Sequence, residues 1–559
     1  MKNILCKSVL TAIFCIIIYP TFAQVIERTR PTEWEQLVPG ARFMDRFLPM
    51  KGSKLAPDNW GTEGVKLRFI DNGIENRIWS FWGGNIVKAD DGKYHLIVCG
   101  WLENSPAGHM EWPKSYVFNT VSDTPYGPFE MRNLIGRGHN PEVYRLPDGR
   151  YVLYVIDGCY VANELNGTWT PSKLTFDARD RCIIEGLSNL SFTRREDGSF
   201  VMVCRGGGIW ISRDGFHFQQ VSNGSVYPKV DGRFEDPVIW KDYVQYNLIV
   251  NDWYGRIAYY LRSDNGIEWE VDPGEAYMPG IAYHADGMKE DWFKYERIKV
   301  YQDDYGRAVQ ANFAVIDTLK FEDKASDQHS SKNITIPLNP GLLVTLLNKK
   351  PITHRTREIC IKIAAETGFN PQTDLNITSL RLGASSEVNF GRGCLVKHSE
   401  KQGNDLIVTF DAVGHGLTST DFTVKLIGKN NQGNMIYGYA RLPYRNYKSP
   451  VLSACAPQLQ TDGSCLLRVD NFGLSASAKT QVKIEIVDIQ GYRKLLGTVF
   501  VGALQPYEST EVKIKPYQWF PLSSLKQAKV VVSFLQQGHI VGQPFSTTIR
   551  TDKLVKTAM

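Results

Sequence analysis

The chain has 559 residues, and its 64 basic and 59 acidic side chains give a formal net charge of +5. This length exceeds that of one domain, and an aromatic content of 12% with moderate charge is typical of β-rich globular proteins. The small net charge is not concentrated in a basic block, which argues against nucleic-acid binding.

The first 23 residues have the pattern of a bacterial export signal. Lys2 and Lys7 lie beside the start of an apolar run over residues 9–19, and Ala23 ends a small-residue cleavage site. The apolar run is too short for a membrane span, and no later segment has the roughly 18 consecutive apolar residues that a span requires. We therefore expect a soluble mature protein that is periplasmic or secreted.

Residues 85–307 contain five similar segments. Each begins with a polar residue, continues as a short apolar strand, turns at an Asp-Gly-like pair and returns as a second apolar strand. Successive segments open 55, 49, 47 and 61 positions apart, at Asn85, Asn140, Asn189, Asp236 and Arg297. A period near 50 predicts a five-bladed β-propeller over residues 24–345, with one four-stranded blade per repeat.

The repeat period ends near residue 345, and alternating strands continue towards the C-terminus. Residues 405–410 and 422–427 have strand character, as do residues 482–488 and 530–535. We expect two β-sandwich domains, over residues 346–449 and 450–559, the second of them Ig-like. The predicted fold class is all-β, a five-bladed β-propeller followed by two β-sandwich domains.

Two sets of polar residues are expected at one mouth of the propeller funnel. The first strand of each blade lies next to the axis, so its start faces that mouth, and the turn after the second strand returns to it. Carboxylates, amides, a guanidinium and indoles in one cavity are typical of a sugar site, because polar groups bind hydroxyls and aromatic faces bind the apolar side of the ring. The substrate-binding candidates are Trp82, Asn85, His139, Asn140, Glu142, Asn189, Arg205, Asp252, Trp253 and Arg297.

Each of these residues also has a structural interpretation. Asn and Asp favour strand starts because they satisfy exposed backbone groups. Arg205 precedes three glycines, so it could fix the carboxylate or sulfate of an acidic sugar or could belong to a tight hairpin. Arg297 could clamp substrate or pair with the adjacent Glu296.

No cofactor or metal is predicted. The eight cysteines that follow the export signal are scattered without a CxxC pair, which argues against a zinc site. A cation on the propeller axis is compatible with the fold, but no cluster of ligands in the sequence specifies one.

Glu235-Asp236-Pro237 is the most specific motif. Together with Asp91-Gly-Lys-Tyr-His-Leu and Asp148-Gly-Arg-Tyr-Val-Leu, it resembles the five-bladed glycoside hydrolases of family 43 and their relatives in families 32, 117 and 130. The resemblance covers residues 79–320. It implies a sugar-cleaving funnel in which Glu235 is the general acid. Adjacent residues of a strand point to opposite sides, so we expect Asp236 to orient that acid or to bind substrate.

The general base is absent from the place where the resemblance would put it. The family has an aspartate at the position that we align with Asn85, and an amide cannot take a proton from water at neutral pH. Our first choice for the partner carboxylate is Glu185, which lies just before the third blade. The other candidates are Glu142, Asp157, Asp252 and Asp286, with His109, His139 and His284 as alternatives that share proton transfer.

Three functions fit these observations. The first is an exported glycoside hydrolase, which we expect to be exo-acting because a five-bladed funnel is closed at one end. The second is a non-catalytic carbohydrate-binding propeller, in which amides have replaced catalytic aspartates. The third is a glycoside phosphorylase similar to family 130, in which phosphate attacks directly; export argues against it. In each case the partner is a carbohydrate.

Overall fold

The computed structural model describes residues 25–57, 60, 63–183 and 187–551, and the predicted export signal lies outside them. Strands make up 47% of the chain and helices 5%, so the all-β class predicted from the sequence is confirmed. The helices are short: 3-10 helices Thr32–Gln36, Phe43–Arg46 and Gly108–Lys114, then α1 (Pro371–Asp374), α2 (Ser385–Val388) and α3 (Leu522–Leu525). Within the described ranges, no helix has the length and apolar character needed to cross a membrane.

After a two-stranded ribbon, five sheets follow one another along the chain, and their strands pair antiparallel except for one parallel pair in the third sheet. The ribbon and first sheet are β1 (Leu55–Ala56), β2 (Arg68–Phe69), then β3 (Trp79–Lys88), β4 (Tyr94–Leu102), β5 (Tyr116–Ser122) and β6 (Glu130–Arg137). The second sheet is β7 (Glu142–Arg145), β8 (Tyr151–Val155), β9 (Gly158–Ala162) and β10 (Thr170–Ser172). The third is β11 (Thr175–Asp177), β12 (Ser191–Arg194), β13 (Phe200–Val203), β14 (Ile209–Ser212) and β15 (His217–Gln220). The fourth is β16 (Phe234–Lys241), β17 (Tyr246–Asp252), β18 (Ile257–Ser263) and β19 (Glu270–Tyr277), and the fifth is β20 (Lys294–Gln302), β21 (Ala308–Ile316) and β22 (Ser331–Pro337).

The Asp-Gly pairs identified in the sequence form turns between first and second strands. Glycine is required there because the backbone φ angles of Gly92 and Gly149 are 81° and 94°. The preceding aspartates accept a hydrogen bond from the backbone N–H two residues later, at 2.9 Å for Asp91 and 3.1 Å for Asp148. These local bonds reverse the chain and set the antiparallel register.

The five sheets surround a common axis in chain order. The innermost strands β3, β7, β12, β16 and β20 contact one another in that order, and β20 contacts β3 again. The lead-in segment adds isolated bridges to the outer edge of the fifth sheet, from Phe47 to Leu338 and from Ile74 to Asn333. The starts of the five innermost strands therefore meet at one end of the axis.

The domain that follows the five sheets differs from the fold predicted from the sequence. We expected a β-sandwich over residues 346–449, but the seven strands form a closed barrel. The reason is the parallel pairing of its first and last strands, which joins two edges that a sandwich leaves open. Alternating side chains do not distinguish the two architectures, since each buries every second residue. The strands are β23 (Leu342–Leu346), β24 (Glu358–Ile363), β25 (Leu375–Gly383), β26 (Cys394–Gln402), β27 (Asp405–Asp411), β28 (Thr423–Asn430) and β29 (Met435–Arg441).

The last domain has two sheets around one hydrophobic core. Leu467 and Val469 from one sheet and Ile484 and Val532 from the other belong to that core and are fully buried. The first sheet contains β30 (Leu452–Ala454), β31 (Gln458–Leu459), β32 (Cys465–Asn471) and β35 (Ser509–Ile514). The second contains β33 (Thr480–Val487), β34 (Arg493–Val501), β36 (Lys529–Gln536) and β37 (His539–Thr548).

Candidate functional site

The innermost strands begin with a repeated backbone irregularity. Pairing with the second strand shifts register between Trp82 and Asn85, and the same shift follows Glu235 and Glu296 in the fourth and fifth sheets. The residue after each of these three positions has a left-handed backbone, and so do two asparagines in the second and third sheets. We call the five residues the axial ring: Gly83, Asn140, Asn189, Asp236 and Arg297.

The strand register shows that our alignment of Asn85 with the other repeats was wrong. We aligned Asn85 with Asn140 and Asn189, but the register shift puts Gly83 at that position and Asn85 two residues further along the strand. The Asn85 amide accepts a hydrogen bond from the N–H of Val143 at 2.8 Å and donates to its carbonyl at 2.9 Å. Asn85 therefore joins the first two sheets instead of facing the funnel mouth.

Hydrogen bonds and an ion pair connect the axial ring. Arg297 Nη1 donates to Asp236 Oδ1 at 2.9 Å, and Asn189 Nδ2 donates to the same oxygen at 3.1 Å. Asn140 Nδ2 donates to Asn189 Oδ1 at 2.8 Å. A Cβ at Gly83 would lie 3.5 Å from Arg297 Nε, so glycine leaves room beside the guanidinium. Arg297 is buried by these contacts and does not line the cavity, contrary to our expectation of a substrate-binding residue.

A second polar layer lies two residues along the strands from the axial ring. Lys299 Nζ forms a buried ion pair with Glu142 Oε2, and Ser191 Oγ donates to Glu142 Oε1 at 3.0 Å. Glu142 is thereby withdrawn from the cavity that we expected it to line. The two layers fill the axis and give the funnel a floor.

A cavity of about 590 Å³ opens above that floor. Its walls come from all five sheets and from the segment after β21, so aromatic, cationic and carboxyl side chains meet there. The residues that line it are Trp82, His109, Met110, Trp112, His139, Asn140, Ile156, Ser188, Asn189, Arg205, Glu235, Asp236, Trp253, Lys294, Glu296, Leu319, Lys320 and Phe321.

Glu235 stands in this cavity with 21% of its side chain exposed. Its Oε1 accepts a hydrogen bond from Asn189 Nδ2 at 2.9 Å and lies 3.7 Å from Arg205 Nη1. Burial is the main cause that raises the pKa of Glu235 to about 7, and the charges of Asp236 and Glu296 add to it. Glu235 is therefore protonated in about half of the molecules at neutral pH.

Glu296 is a second carboxylate of the cavity, and the sequence analysis did not select it as a catalytic residue. Lys294 Nζ lies 3.6 Å from Glu296 Oε1, and Lys320 Nζ contacts Glu296 Oε2. Burial alone would raise the pKa of Glu296, but the two ammonium groups outweigh burial and lower it. The sequence did contain a signal for this role of Glu296. In the fifth repeat, Glu296-Arg297 occupies the same position as Glu235-Asp236 in the fourth.

The two histidines of the cavity are buried and uncharged. His139 Nδ1 lies 3.0 Å from Ser115 Oγ, and His109 Nδ1 lies 2.9 Å from Ser331 Oγ. Burial is the first cause that lowers the pKa of both imidazoles well below the usual value, and the nearby Lys320 charge acts in the same direction. Neither imidazole carries a charge at neutral pH.

The indole rings of Trp82 and Trp253 line the cavity, where we expected them. Lys320 Nζ lies 4.7 Å from the Trp82 ring centroid, and Lys294 Nζ lies 4.9 Å from that of Trp253. These cation–π contacts place both ammonium groups between an aromatic ring and the carboxylate of Glu296.

One further candidate is not brought to the cavity, and another is not among the described residues. Asp252 is fully buried and accepts a hydrogen bond from Arg28 Nε at 2.6 Å, so it anchors the lead-in segment instead of binding substrate. Glu185, our first choice for the partner carboxylate, lies outside the described residues. Within the described part of the chain, no three Cys, His, Asp or Glu side chains are grouped closely enough to hold a metal ion.

No family model and no curated protein matches the chain. Glycoside hydrolases of families 43 and 62 are among the solved structures to which it is similar. An α-L-arabinofuranosidase from Lactobacillus brevis has 11% identity and a TM-score of 0.34, over 46% of this chain and 91% of that one. The catalytic domain of a family-62 α-L-arabinofuranosidase from Coprinopsis cinerea has 10% identity and a TM-score of 0.35, over 53% and 98%. A family-43 protein from Bacillus licheniformis has 10% identity and a TM-score of 0.31, over 84% and 89%.

Proposed function

We propose that this chain is an exported glycoside hydrolase in which residues 24–345 form a five-bladed β-propeller, with Glu235 as general acid and Glu296 as general base. One observation carries the proposal. Two carboxyl groups share a cavity, and their surroundings shift their pKa values in opposite directions. Hydrolysis of a glycosidic bond needs such a pair, one carboxyl protonated and the other ionised.

The surroundings of each carboxyl suit its proposed role. Glu235 would give its proton to the leaving oxygen, and the hydrogen bond from Asn189 fixes the orientation of its carboxyl. Glu296 would take a proton from the attacking water. Its two ammonium partners keep it ionised, but they also lower its basicity, so water must be held close to it.

Asp236 supports the acid without contacting the scissile bond. Its carboxylate is held by Arg297, and its negative charge is the second cause that raises the pKa of Glu235. Of the two roles expected for Asp236 from its place on the strand, orienting the acid or binding substrate, this assignment takes the first.

The filled axis supports exo-action. The axial ring and the Glu142–Lys299 pair close the floor of the cavity, so a glycan can enter only from the mouth. A cavity that is open at one end only accommodates the end of a glycan chain better than its middle. The half-buried indole ring of Trp253 provides a surface for the apolar face of a terminal sugar, whereas the Trp82 ring is only 2% exposed and offers little contact area.

Product release from a panel of plant, algal and host glycans tests the proposal. Wild type, Glu235→Gln and Glu296→Gln are compared with and without inorganic phosphate. Release of one sugar by the wild type, lost in both variants and independent of phosphate, is the expected result. Glycan binding without release would favour a carbohydrate-binding propeller, and strict phosphate dependence would favour a phosphorylase.

A further inference from the structure

We propose that Arg28 is a positioning residue for sugar binding: through Asp252 it holds the turn that presents Trp253 to the cavity. The proposal rests on the proposed function, because Trp253 is expected to stack on the bound sugar. It gives a role in the site to the lead-in segment before β3, none of whose described residues lines the cavity.

Trp253 lies in a tight turn between β17 and β18. Its N–H donates to the carbonyl of Arg233 at 3.2 Å. The next residue, Tyr254, stacks on the indole with 4.0 Å between the ring centroids. Arg256, at the end of the turn, has a left-handed backbone with a φ of 50°. This conformation is unfavourable for a residue other than glycine, so bonds from outside the turn help to keep its shape.

The carboxylate of Asp252 connects this turn to its surroundings. Its Oδ1 accepts hydrogen bonds from the N–H of Gly255 at 3.2 Å and from the N–H of Arg233 at 3.0 Å. Both ends of the Trp253 backbone are therefore tied to one carboxyl group. The Asp252 side chain is fully buried, and a buried carboxylate is strongly destabilising when its cation is removed.

Arg28 is the cation that compensates this carboxylate. Its Nε donates to Asp252 Oδ2 at 2.6 Å and its Nη2 donates to Oδ1 at 3.3 Å, so the two planar groups meet in two hydrogen bonds. A Cβ at Gly255 would lie 2.6 Å from Arg28 Cγ, so glycine permits this close approach. The N–H of Ile26 donates to the carbonyl of Tyr254 at 3.1 Å, which attaches the lead-in segment to the same turn a second time.

Attachment of the lead-in segment alone does not require Arg28. Arg30 and Arg42 already bind the buried carboxylate of Glu275, at 3.1 and 3.2 Å, in the outermost strand of the fourth sheet. Arg28 differs from them because its partner directly precedes Trp253 in the chain. Loss of Arg28 should therefore affect the cavity, whereas loss of Arg30 should not.

The experiment measures sugar affinity and turnover in Arg28→Met protein. Calorimetry with L-arabinose, D-xylose, D-galactose and D-glucuronic acid measures affinity without turnover, and release from the glycan panel gives kcat and KM. We expect the affinity for the best of these sugars to fall about five- to tenfold and KM to rise by a similar factor. The kcat should change less than about twofold, because a ring that stacks equally on the ground state and the transition state contributes to KM alone.

A double variant identifies the route of the effect. If Arg28 acts through Trp253, then Arg28→Met should change the affinity less than about twofold in Trp253→Ala protein. An equal loss of affinity in both backgrounds would show that Arg28 supports the fold as a whole and would overturn the proposal. Arg28→Lys, which keeps the charge, should recover part of the affinity.

Two further variants complete the test. Arg30→Met, at an arginine that is 44% exposed and two residues along the same segment, is the matched control and should leave affinity and KM unchanged. If Arg28→Met does not fold, the double variant Arg28→Met, Asp252→Asn removes the unpaired charge and should show the same loss of affinity. A lower Tm with unchanged affinity in either variant would overturn the proposal.

Other results separate this proposal from the proposed function. Sugar release by the wild type, with KM and affinity unchanged in Arg28→Met, would overturn the positioning role and leave the hydrolase proposal standing. Sugar binding that depends on Arg28 and Trp253, without release from any glycan, would support the positioning role and overturn the hydrolase proposal. No binding and no release by the wild type would overturn both.

Discussion

Glu235 and Glu296 occupy equivalent positions in two neighbouring sheets. Each lies one residue before a member of the axial ring, and each is followed by the same shift of strand register. Their surroundings nevertheless differ. Asn189 and Arg205 contact Glu235, whereas two lysines enclose Glu296. One backbone position thus presents two carboxyl groups with opposite preferences for a proton.

Glu235→Gln should abolish turnover and retain binding. Glutamine is isosteric and can still accept the hydrogen bond from Asn189, but it cannot donate a proton to the leaving oxygen. We expect kcat to fall about 10²- to 10⁴-fold while the affinity for sugar changes little. Product release and calorimetry measure the two effects. The exposed Glu164, which does not line the cavity, serves as control in Glu164→Gln. Full activity of Glu235→Gln would refute the role of Glu235 as acid.

The rate should fall as the pH rises above about 7. The acid works only when protonated, and the pKa of Glu235 is raised to about 7, so a higher pH removes its proton. The base works only when ionised, and the pKa of Glu296 is lowered, so activity should persist below the usual range of a glutamate. A pH profile of kcat/KM checks both limits. Activity that increases steadily from pH 6 to 9 would contradict the assignment.

Lys320→Met should shift the whole pH profile upwards. The Lys320 charge lowers the pKa of Glu296 and also that of Glu235, so its removal raises both. We expect the acidic and the basic limits of kcat/KM to move to higher pH together. Lys88→Met, at an exposed lysine of the first sheet, is the control. If neither limit of the pH profile moves, Lys320 does not act on Glu235 and Glu296.

Lys299→Met should destabilise the sheets around the axis. It leaves the Glu142 carboxylate buried without its cation, which costs about 3–5 kcal/mol of unfolding free energy in comparable cases. A lower Tm in calorimetry and faster hydrogen exchange at the innermost strands are the expected signs. The double variant Glu142→Gln, Lys299→Met removes the unpaired charge and should recover part of the loss. No recovery would mean that packing, not charge, explains the effect.

Local chemistry made part of this molecule predictable. The Asp-Gly turns depend on a positive φ and on a hydrogen bond that spans two residues, so Asp91-Gly92 and Asp148-Gly149 could be identified from the sequence. Glu235 could be placed at the mouth because a repeat fixes where its inner strand begins.

Relationships between distant segments were not predictable. Asp252 appeared available for substrate because its partner, Arg28, lies 224 positions earlier in the chain. Lys320 was missed because it follows the last repeat, where the period gives no guidance. Asn85 was misaligned because the register shift after Trp82 depends on strand pairing, which the sequence does not display. The prediction of a β-sandwich over residues 346–449 was wrong for the same reason, since closure of the barrel depends on pairing between strands almost 100 residues apart.

The axial ring also limits how similar the five repeats can become. The ring contains one glycine, which has no side chain, two amides, one carboxylate and one guanidinium group. The carboxylate and the guanidinium group neutralise each other, and the amides bind through hydrogen bonds. Five copies of the fourth repeat would bring five carboxylates together, and five copies of the fifth would bring five guanidinium groups together. Like charges so close together in a buried place repel strongly. A version of this protein built from five copies of either charged repeat would therefore be unable to close on itself, and the divergence between the fourth and fifth repeats is part of what makes the ring stable.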